Sequence, residues 1–315
     1  MSTITRQTGA ADPATPAARG PWRQAFARLR RNRSAMVGLG LVIFFVLVAL
    51  TAPLLVLLNG WDPAQRDPTA VDAALAGIPR GSWGGIGAEH WFGVEPVSGR
   101  DLFSRVVMGT QVSMFIAFAG ATVVLTLGVL FGIAAGYFGG WVDVLISRFM
   151  DLLMSFPGLI FMIAIMSVTP DVNRVVMLIS VIGFFGWPGI ARIVRGETLS
   201  VRHREFVDAA RTSGARPGRI LLREILPNVS GPIIAFGALL IPGLISAEAA
   251  LSFLGVGIRP PTPSWGQILS DAVLYYDIVP TYFAIPSLCL FLVILGFSLL
   301  GDGLRDAIDP KGART

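Results

Sequence analysis

The chain has 315 residues, of which 53% are hydrophobic and only 14% are charged. This composition places it in the membrane class rather than among ordinary soluble domains. The net charge of +5 raises the question of nucleic acid, but the arginines follow a membrane-topology pattern, so we expect no nucleic-acid partner. The single cysteine, Cys289, cannot form an internal disulfide bond, and the two histidines lie far apart, so no metal site is predicted.

Residues 1–35 are predicted to form a cytoplasmic tail. Residues 1–20 are rich in Ala, Thr, Pro and Gly, and we expect them to be disordered. Trp22, Phe26 and Leu29 then recur at helical spacing among arginines, which predicts an amphipathic helix on the anionic inner leaflet. The alternative is a simple topology determinant, and the two readings are compatible.

Six windows poor in charge are long enough to cross a bilayer, which takes about 20 apolar residues. They are Met36–Leu58, Val106–Val142, Leu152–Pro170, Val175–Ala191, Ile225–Ala247 and Ile278–Gly301. The second window leaves room for an interfacial segment, the fourth extends towards Arg195, and the fifth extends past Glu248. The first is too long and too far from the start to be a cleaved signal peptide. The sequence therefore predicts an all-α membrane protein with a first span at 36–58, a core at 106–302 and a tail at 303–315.

Arginine and lysine residues set the predicted orientation. If the N-terminus is cytoplasmic, 19 of the 25 basic residues fall in cytoplasmic segments and six fall outside. This asymmetry favours cytoplasmic N- and C-termini, because positive loops remain inside.

Residues 59–105 form the largest predicted outside segment. Its Trp61, Trp83 and Trp91 indicate either a cap over the outer mouth or anchors at the lipid interface, and the interface is the preferred reading for each single tryptophan. Helical spacing from Arg100 to Val106 predicts a helix along the outer surface before the second span.

The segment 196–227, between the fourth and fifth spans, predicts a mechanism. From Glu205 onwards it reads as a short helix, a turn at Gly214 and a basic helix with Pro217 in its first turn, and Pro227 marks the start of the fifth span. Small side chains on one face would let a partner's backbone approach closely. Phe206, Ala210 and Ser213 share this face, with Ala209 beside them, and the small residues among them would allow the approach. An ordinary basic loop that obeys the positive-inside rule is the alternative.

The chain shows no ATP-binding loop of its own. Such a loop needs a lysine after its glycines, and the only lysine is Lys311 near the C-terminus. If transport is powered, a partner must supply the energy.

Several stretches resemble the permease subunits of bacterial ABC importers, and within them the second permease of the oligopeptide, dipeptide and nickel group. They are Gly99–Arg105 (GRDLFSR), Asp208–Gly214 (DAARTSG) with Ile225–Asn228 (ILPN), Ala247–Gly255 (AEAALSFLG) with Pro260–Gly266 (PPTPSWG), and Leu300–Asp306 (LGDGLRD) with Asp309–Pro310. The resemblance covers roughly residues 22–311. Asp208 replaces the leading glutamate of the family's E-A-A-x-x-x-G motif, Phe92–Glu95 departs from the usual L-G-T-D, and residues 59–91 look longer than usual.

The resemblance implies a type I importer permease fold, with a coupling helix between spans 4 and 5. It also implies a heterodimer with a related permease, two cytoplasmic ATPase subunits that bind ATP and Mg, and an extracytoplasmic peptide-binding protein, with no cofactor or catalytic residue in this chain itself. The expected ATPase-coupling residues are Glu205, Phe206, Asp208, Ala209, Ala210, Gly214, Arg216 and Pro227.

Five polar residues in the spans are candidates for the pathway or its gate. They are Gln111, Ser113, Ser246, Glu248 and Ser252. An ionisable group inside a membrane is a functional hypothesis by default. The alternative is that Glu248 is a structural hydrogen-bonding group and that Gln111, Ser113 and Ser246 bond to neighbouring helices.

The predicted function is import of di- and oligopeptides through the inner membrane by alternating access. Nickel chelates, glutathione-like compounds or small glycans are alternative cargoes. An ion-coupled secondary transporter would predict acidic residues at mid-span and inverted repeats, and a membrane enzyme would need a clustered catalytic set; the sequence shows neither.

Overall fold

The computed structural model describes residues 21–169 and 172–308, and this part of the chain is mostly helical. Residues 1–20, for which we expected disorder, and the tail from residue 309 lie outside the described residues. The helices in chain order are α1 (Pro21–Arg31), α2 (Arg33–Asn59), α3 (Leu102–Phe138), α4 (Gly140–Ser155), α5 (Gly158–Val168), α6 (Arg174–Val201), α7 (Glu205–Thr212), α8 (Pro217–Ile220), α9 (Leu226–Phe253), α10 (Trp265–Ala272) and α11 (Pro280–Ile308).

Within the described residues, five helical runs are long and apolar enough to cross a membrane. Four are α2, α3, α6 and α11, and the fifth runs from Pro217 to Phe253 through a π-helical turn at Leu221–Ile225. Helices α4 and α5 meet at 81° and make a sixth span if the pair crosses together. The prediction of an all-α membrane protein is confirmed.

The third predicted span, Leu152–Pro170, is not one straight helix. Its first residues lie in the last turn of α4, and the chain bends at Phe156 and Pro157. Proline forces the residue before it into an extended conformation, and Phe156 has φ −92° and ψ 144°. Proline also lacks the amide hydrogen that a continuous helix would use there. Pro157 therefore separates α4 from α5.

Three other boundaries differ from the sequence prediction. Helix α6 continues to Val201, well past Arg195, so the helix takes up the first part of the predicted loop 196–227. The helical run that contains the fifth span begins at Pro217 rather than Ile225. The predicted surface helix from Arg100 to Val106 is instead the buried first turn of α3, since Asp101 caps α3 by accepting a hydrogen bond from the Ser104 amide at 2.7 Å.

Glycines bring the central helices into backbone contact. Gly128, Gly132 and Gly136 follow one another on α3 at four-residue spacing and face α6. A methyl group on Gly136 would lie 2.6 Å from the Cβ of Thr198, closer than real Cβ atoms approach. Such small-residue ladders are typical of packed membrane helices. Helices α3 and α6 therefore form the centre of the bundle, and α9 packs against both.

Helices α1, α2 and α11 pack together at one side. Gly38 of α2 faces the backbone of α11 at Gly296 and Leu300, where a methyl group would meet atoms at 2.7 Å. Helix α1 lies where the amphipathic helix was predicted, and the Leu29 side chain lies beside Gly303 of α11. One side of α1 therefore rests on protein rather than on lipid alone.

Residues 60–101 fold into a compact segment across one end of the bundle, which we call the α10 end; the opposite end is the α7 end. This segment contains a two-stranded hairpin, β1 (Val71–Asp72) and β2 (Ile78–Pro79). Of its tryptophans, Trp61 donates a hydrogen bond to the Glu89 carbonyl oxygen and Trp91 packs on Phe103. Trp83 and Trp91 are both exposed, at 70% and 44%, and Trp61 is half-buried.

Candidate functional site

Helix α7 ends in a turn that depends on glycine. Gly214 has a φ of +75°, which strains any residue with a side chain. The Ala215 amide donates to the Ala210 carbonyl oxygen, and the Gly214 amide donates to that of Arg211. These two bonds form a Schellman motif, so the predicted glycine turn between two helices is present. Pro217 occupies the first turn of α8, as expected.

One side of α7 packs against the bundle. Val207 is fully buried and contacts an apolar cluster formed by the end of α6, the π-helical turn and the start of α9. The cluster contains Val201, Ile220, Ile225 and Val229. The guanidinium group of Arg211 also lies 5.3 Å from the centre of the Tyr137 ring at the end of α3. Helix α7 is thus attached to the ends of three long helices.

The other side of α7 is exposed. Seven of the eight predicted coupling residues are exposed: Glu205, Phe206, Asp208, Ala209, Gly214, Arg216 and Pro227. Ala210 is half-buried and contributes to the packing beneath the helix, not to the exposed face. The exposed ion pair between Asp208 and Arg211, at 3.2 Å, adds little stability. The result is a short, firmly seated helix with an exposed face of small and charged side chains.

Phe206 also borders a cleft of about 580 Å³ at the α7 end. The cleft lies between α6, α9 and α11, and Glu197, Arg204 and Arg305 give it charged walls. Arg305 stacks over Phe236 at 5.7 Å.

Three of the five pathway candidates form one buried cluster. Glu248 of α9 is fully buried, and the Ser252 hydroxyl donates to its Oε1 at 2.7 Å. The hydroxyl groups of Ser113 and Ser264 lie beside the same carboxyl group. Ser113 also accepts a bond from the Trp265 amide at 3.4 Å, and Ser252 accepts one from the Ile258 amide at 3.0 Å. The cluster therefore joins α3, α9 and the start of α10.

The remaining two candidates lie apart from this cluster. Gln111 donates to the Ala49 carbonyl oxygen of α2 at 2.9 Å and joins two helices. Ser246 donates to the Pro242 carbonyl oxygen within its own helix at 2.8 Å. Both side chains therefore donate to a helix carbonyl oxygen, as polar residues in membrane spans commonly do.

A buried ion pair, which the sequence analysis did not identify, fixes the 60–101 segment to the bundle. Arg105 and Glu95 are both almost fully buried, with Nε and Oε1 2.5 Å apart. Arg105 also donates to Gln267 of α10 at 2.5 Å, and Gln267 donates to Asp271 at 2.7 Å. Burial raises the pKa of Asp271, and the negative charge of Glu95 raises it further. Glu95 and Arg105 are near neighbours in sequence, but Gln267 lies 162 residues from Arg105, and only the fold brings those two together.

A second anchor surrounds His90. Its Nδ1 lies 2.9 Å from Asp101, the cap of α3, and its Nε2 lies 3.4 Å from Asp67. Hydrogen bonds from Thr69 lower the pKa of Asp67, with a smaller contribution from His90. Asn59 at the end of α2 donates to the same Asp101 at 2.9 Å. The segment is thereby tied to both α2 and α3. No group of three or more potential metal ligands occurs within the described residues.

This helical bundle, with a short seated helix between two long ones, has the fold of an ABC importer membrane subunit. It is similar to a subunit of the MetNI methionine ABC transporter in an inward-facing conformation, with a TM-score of 0.51 and 19% sequence identity. That match covers 66% of this chain and 98% of the other.

Residues 128–314 match the family described as the binding-protein-dependent transport system inner membrane component, and residues 20–76 match the N-terminal transmembrane domain of oligopeptide transport permease C. The chain belongs to the first of these families. It is therefore a multi-pass membrane permease component of an ABC importer, a class in which separate subunits hydrolyse ATP.

Characterised relatives match along almost the whole chain. The dipeptide transport system permease protein DppC of Alkalihalophilus pseudofirmus is 39% identical, with 92% of this chain and 90% of the relative covered. The oligopeptide transport system permease protein OppC of Haemophilus influenzae is 36% identical, with 93% and 89% covered. The glutathione transport system permease protein GsiD of Escherichia coli is 39% identical, with 93% and 91% covered.

Proposed function

We propose that this chain is one of two permeases in an ATP-driven importer of di- and oligopeptides. The observation that carries the cargo assignment is the full-length similarity to permeases named for dipeptide and oligopeptide transport. Glutathione, the cargo named for a third relative, is itself a small peptide-like molecule. A peptide is therefore the cargo class that these relatives share.

The proposed orientation has both termini in the cytoplasm. It requires six crossings, so α4 and α5 together make one bent span. The α7 end, which carries Arg202, Arg204, Arg211 and Arg216, is then cytoplasmic, as the positive-inside rule favours. The 60–101 segment and α10 face the opposite side, where a peptide-binding protein would deliver cargo.

In this arrangement the exposed face of α7 contacts a cytoplasmic ATPase subunit. The related permease would present its own coupling helix to a second ATPase subunit, and ATP and Mg are bound by those subunits. When ATP closes the ATPase pair, the two coupling helices move. Val207 and Arg211 seat α7 on α3, α6 and α9, so this movement reaches the spans and favours the outward-open state. ATP shifts the equilibrium only because it binds one state more tightly than the other.

The Glu248 cluster fits a structural role beneath α10 in this scheme. Its Oε1 accepts a hydrogen bond from Ser252, its Oε2 is buried without a hydrogen-bond partner among the described residues, and no side of the carboxyl group is open to solvent in this chain. We assign Gln111 and Ser246 to helix packing, since each is already hydrogen-bonded to a backbone carbonyl oxygen.

Uptake in cells that lack this gene, and in complemented cells, tests the proposal. Labelled dipeptide, a longer peptide, glutathione and chelated nickel serve as cargoes. We expect loss of uptake of a peptide class, restored by complementation and abolished by ATP depletion but not by a protonophore at constant ATP. Loss of nickel uptake alone would reassign the cargo. Uptake that follows the protonophore rather than ATP would favour an ion-coupled carrier.

A further inference from the structure

Two arginines on the second half of α6, and a third just after its end, connect this helix to other elements. Arg192 and Arg195 contact acidic residues of α4. Arg202, just after α6, donates to the Gly136 carbonyl oxygen near the end of α3 at 2.9 Å. They hold the part of α6 that leads directly into α7.

The pair formed by Arg195 and Asp143 has the strongest geometry of these contacts. Arg195 Nε lies 2.5 Å from Asp143 Oδ1, and its NH2 nitrogen lies 2.7 Å from Oδ2. Ser147 donates to the same carboxylate at 3.1 Å. Both charged side chains are largely shielded, at 30% and 20% exposure. Such two-point arginine–carboxylate bonds are strong and fix orientation as well as distance.

The pair formed by Arg192 and Asp151 joins the same two helices by a single contact of 2.7 Å. Both side chains are about half exposed, at 51% and 53%. Exposed single-contact ion pairs typically contribute little. The chain thus offers two pairs between α4 and α6 that differ in geometry and in burial.

Helix α4 has few other points of attachment to α6. Met150 and Leu153 pack against Trp187 and Ala191 near the Pro157 bend. The first half of α4, by contrast, exposes Trp141, Val144 and Leu145. Asp143 therefore adds a polar attachment to α6 in the half of α4 that lies farthest from the bend, where Ile146 packs against the same cluster.

We propose that Asp143 and Arg195 are positioning residues that carry the displacement of α7 from α6 to the bent pair α4–α5. This inference rests on the proposed function of α7. Arg195 lies six residues before the end of α6, about 9 Å along the helix axis. Movement of α7 reaches this point through a rigid helix, and the two-point bond obliges α4 to follow. Without the bond, α7 and α6 move while α4 lags behind.

The test uses the reconstituted transporter with the variants Asp143→Arg, Arg195→Asp and the doubly substituted, charge-swapped protein. The readout is the number of peptides imported per ATP hydrolysed, which a purely structural role would not change in correctly assembled complexes. Each single variant is expected to lower this ratio about fivefold or more, the lower end of typical coupling factors. The charge-swapped protein is expected to recover most of it. Equivalent substitutions at Asp151 and Arg192 provide the matched control and should leave the ratio close to wild type.

Unchanged ratios in both single variants would overturn the inference, as would equal losses at the control pair. If a charge reversal prevents assembly, Asp143→Asn and Arg195→Gln replace it, because they remove each charge without reversing it. If the wild-type complex imports no peptide with ATP, the proposed cargo fails instead.

In that case, the inference is tested without cargo by measuring the distance between α4 and α7. Spin labels at Val144→Cys and Thr212→Cys, in a Cys289→Ser background, should keep their separation on ATP binding in the protein with the intact ion pair. The separation should change in Arg195→Asp. The same response in both proteins would contradict the proposal that the Asp143–Arg195 pair makes α4 follow α6.

Discussion

A methyl group at Gly132 of α3 would lie 2.6 Å from the carbonyl oxygen of Ala191 in α6. The two backbones are therefore in direct contact at this point, with no room for a side chain. Because α6 leads into α7, this contact sets how firmly the coupling helix is connected to the centre of the bundle.

Gly132→Ala is expected to destabilise the protein by about 1–3 kcal/mol, the usual cost of forcing extra atoms into a packed core. It should also lower ATP-dependent uptake, since α3 and α6 must separate slightly. Thermal unfolding in detergent, together with uptake, measures both effects. Gly189→Ala is the matched control, because that α6 glycine has no neighbouring atom within 4 Å of a new Cβ. Equal stability of the two variants would show that the close contact is unimportant.

Gly214→Trp is expected to leave the protein inserted in the membrane but unable to couple ATP hydrolysis to transport. The Cβ position at Gly214 opens into free space, so the indole would project beside the exposed face of α7 and block docking. The positive φ adds about 1–2 kcal/mol of backbone strain, which Gly214→Ala shares. Membrane abundance, ATPase co-purification and uptake measure the outcome.

Gly60→Trp is the control for this substitution. Gly60 also has a positive φ, of +82°, and free space around its Cβ position, but it lies at the α10 end. The Gly60→Trp variant should therefore retain binding of the ATPase subunit. Normal transport and normal ATPase binding by Gly214→Trp would refute the coupling role of this turn.

Glu248→Gln is expected to retain stability and most transport, because the amide oxygen still accepts the hydrogen bond from Ser252. Glu248→Leu leaves that buried hydroxyl without its acceptor and should cost about 1–3 kcal/mol. Thermal unfolding and uptake of both variants, with membrane abundance as the control, distinguish structure from chemistry. A loss of transport in Glu248→Gln at unchanged stability would instead make the carboxyl group part of the pathway.

Asp271 predicts a pH dependence of stability. Its pKa is raised above the ordinary 3.8, first by burial and then by Glu95. Between 3.8 and the folded-state pKa, the folded protein keeps a proton that the unfolded chain has released, so stability falls as pH rises through this window. Asp271→Asn lacks this loss and keeps an acceptor for Gln267.

The unfolding midpoints of wild type and Asp271→Asn are compared over a pH series from 3.8 to neutral. The unfolding midpoint of Asp271→Asn should rise relative to that of the wild type as pH rises, and the difference should then level off. Asp277→Asn, on the exposed turn after α10, is the control. A difference that grows towards low pH would contradict the raised pKa.

The sequence was sufficient for the features that depend on local rules. Apolar runs located the spans, and Gly214 with Pro217 located the helix–turn–helix around α7, because backbone preference and helix capping act over a few residues. The Pro157 bend was also within reach, since proline restricts Phe156 directly, yet the apolar run from Leu152 hid it.

The contacts that unite the bundle were less accessible. Glu95 with Arg105, and Asp143 with Arg195, are ordinary charged residues in sequence, and only the fold brings each pair together. The four-residue spacing of Gly128, Gly132 and Gly136 was readable, but its partner helix was not. Ala210 shows a further limit, because helical spacing alone does not tell which face packs inward.

Cross-linking from α7 to an ATPase subunit tests the central claim most directly. In a Cys289→Ser background, a thiol–amine reagent attached at Ala209→Cys should capture the ATPase subunit in membranes, and ATP should change the yield. Val207→Cys is the control: Val207 is fully buried on the packed side of α7, so a reagent attached there should capture no ATPase subunit. Absence of any ATPase cross-link from Ala209→Cys and Phe206→Cys, in a complex that still imports peptide with ATP, would contradict the account.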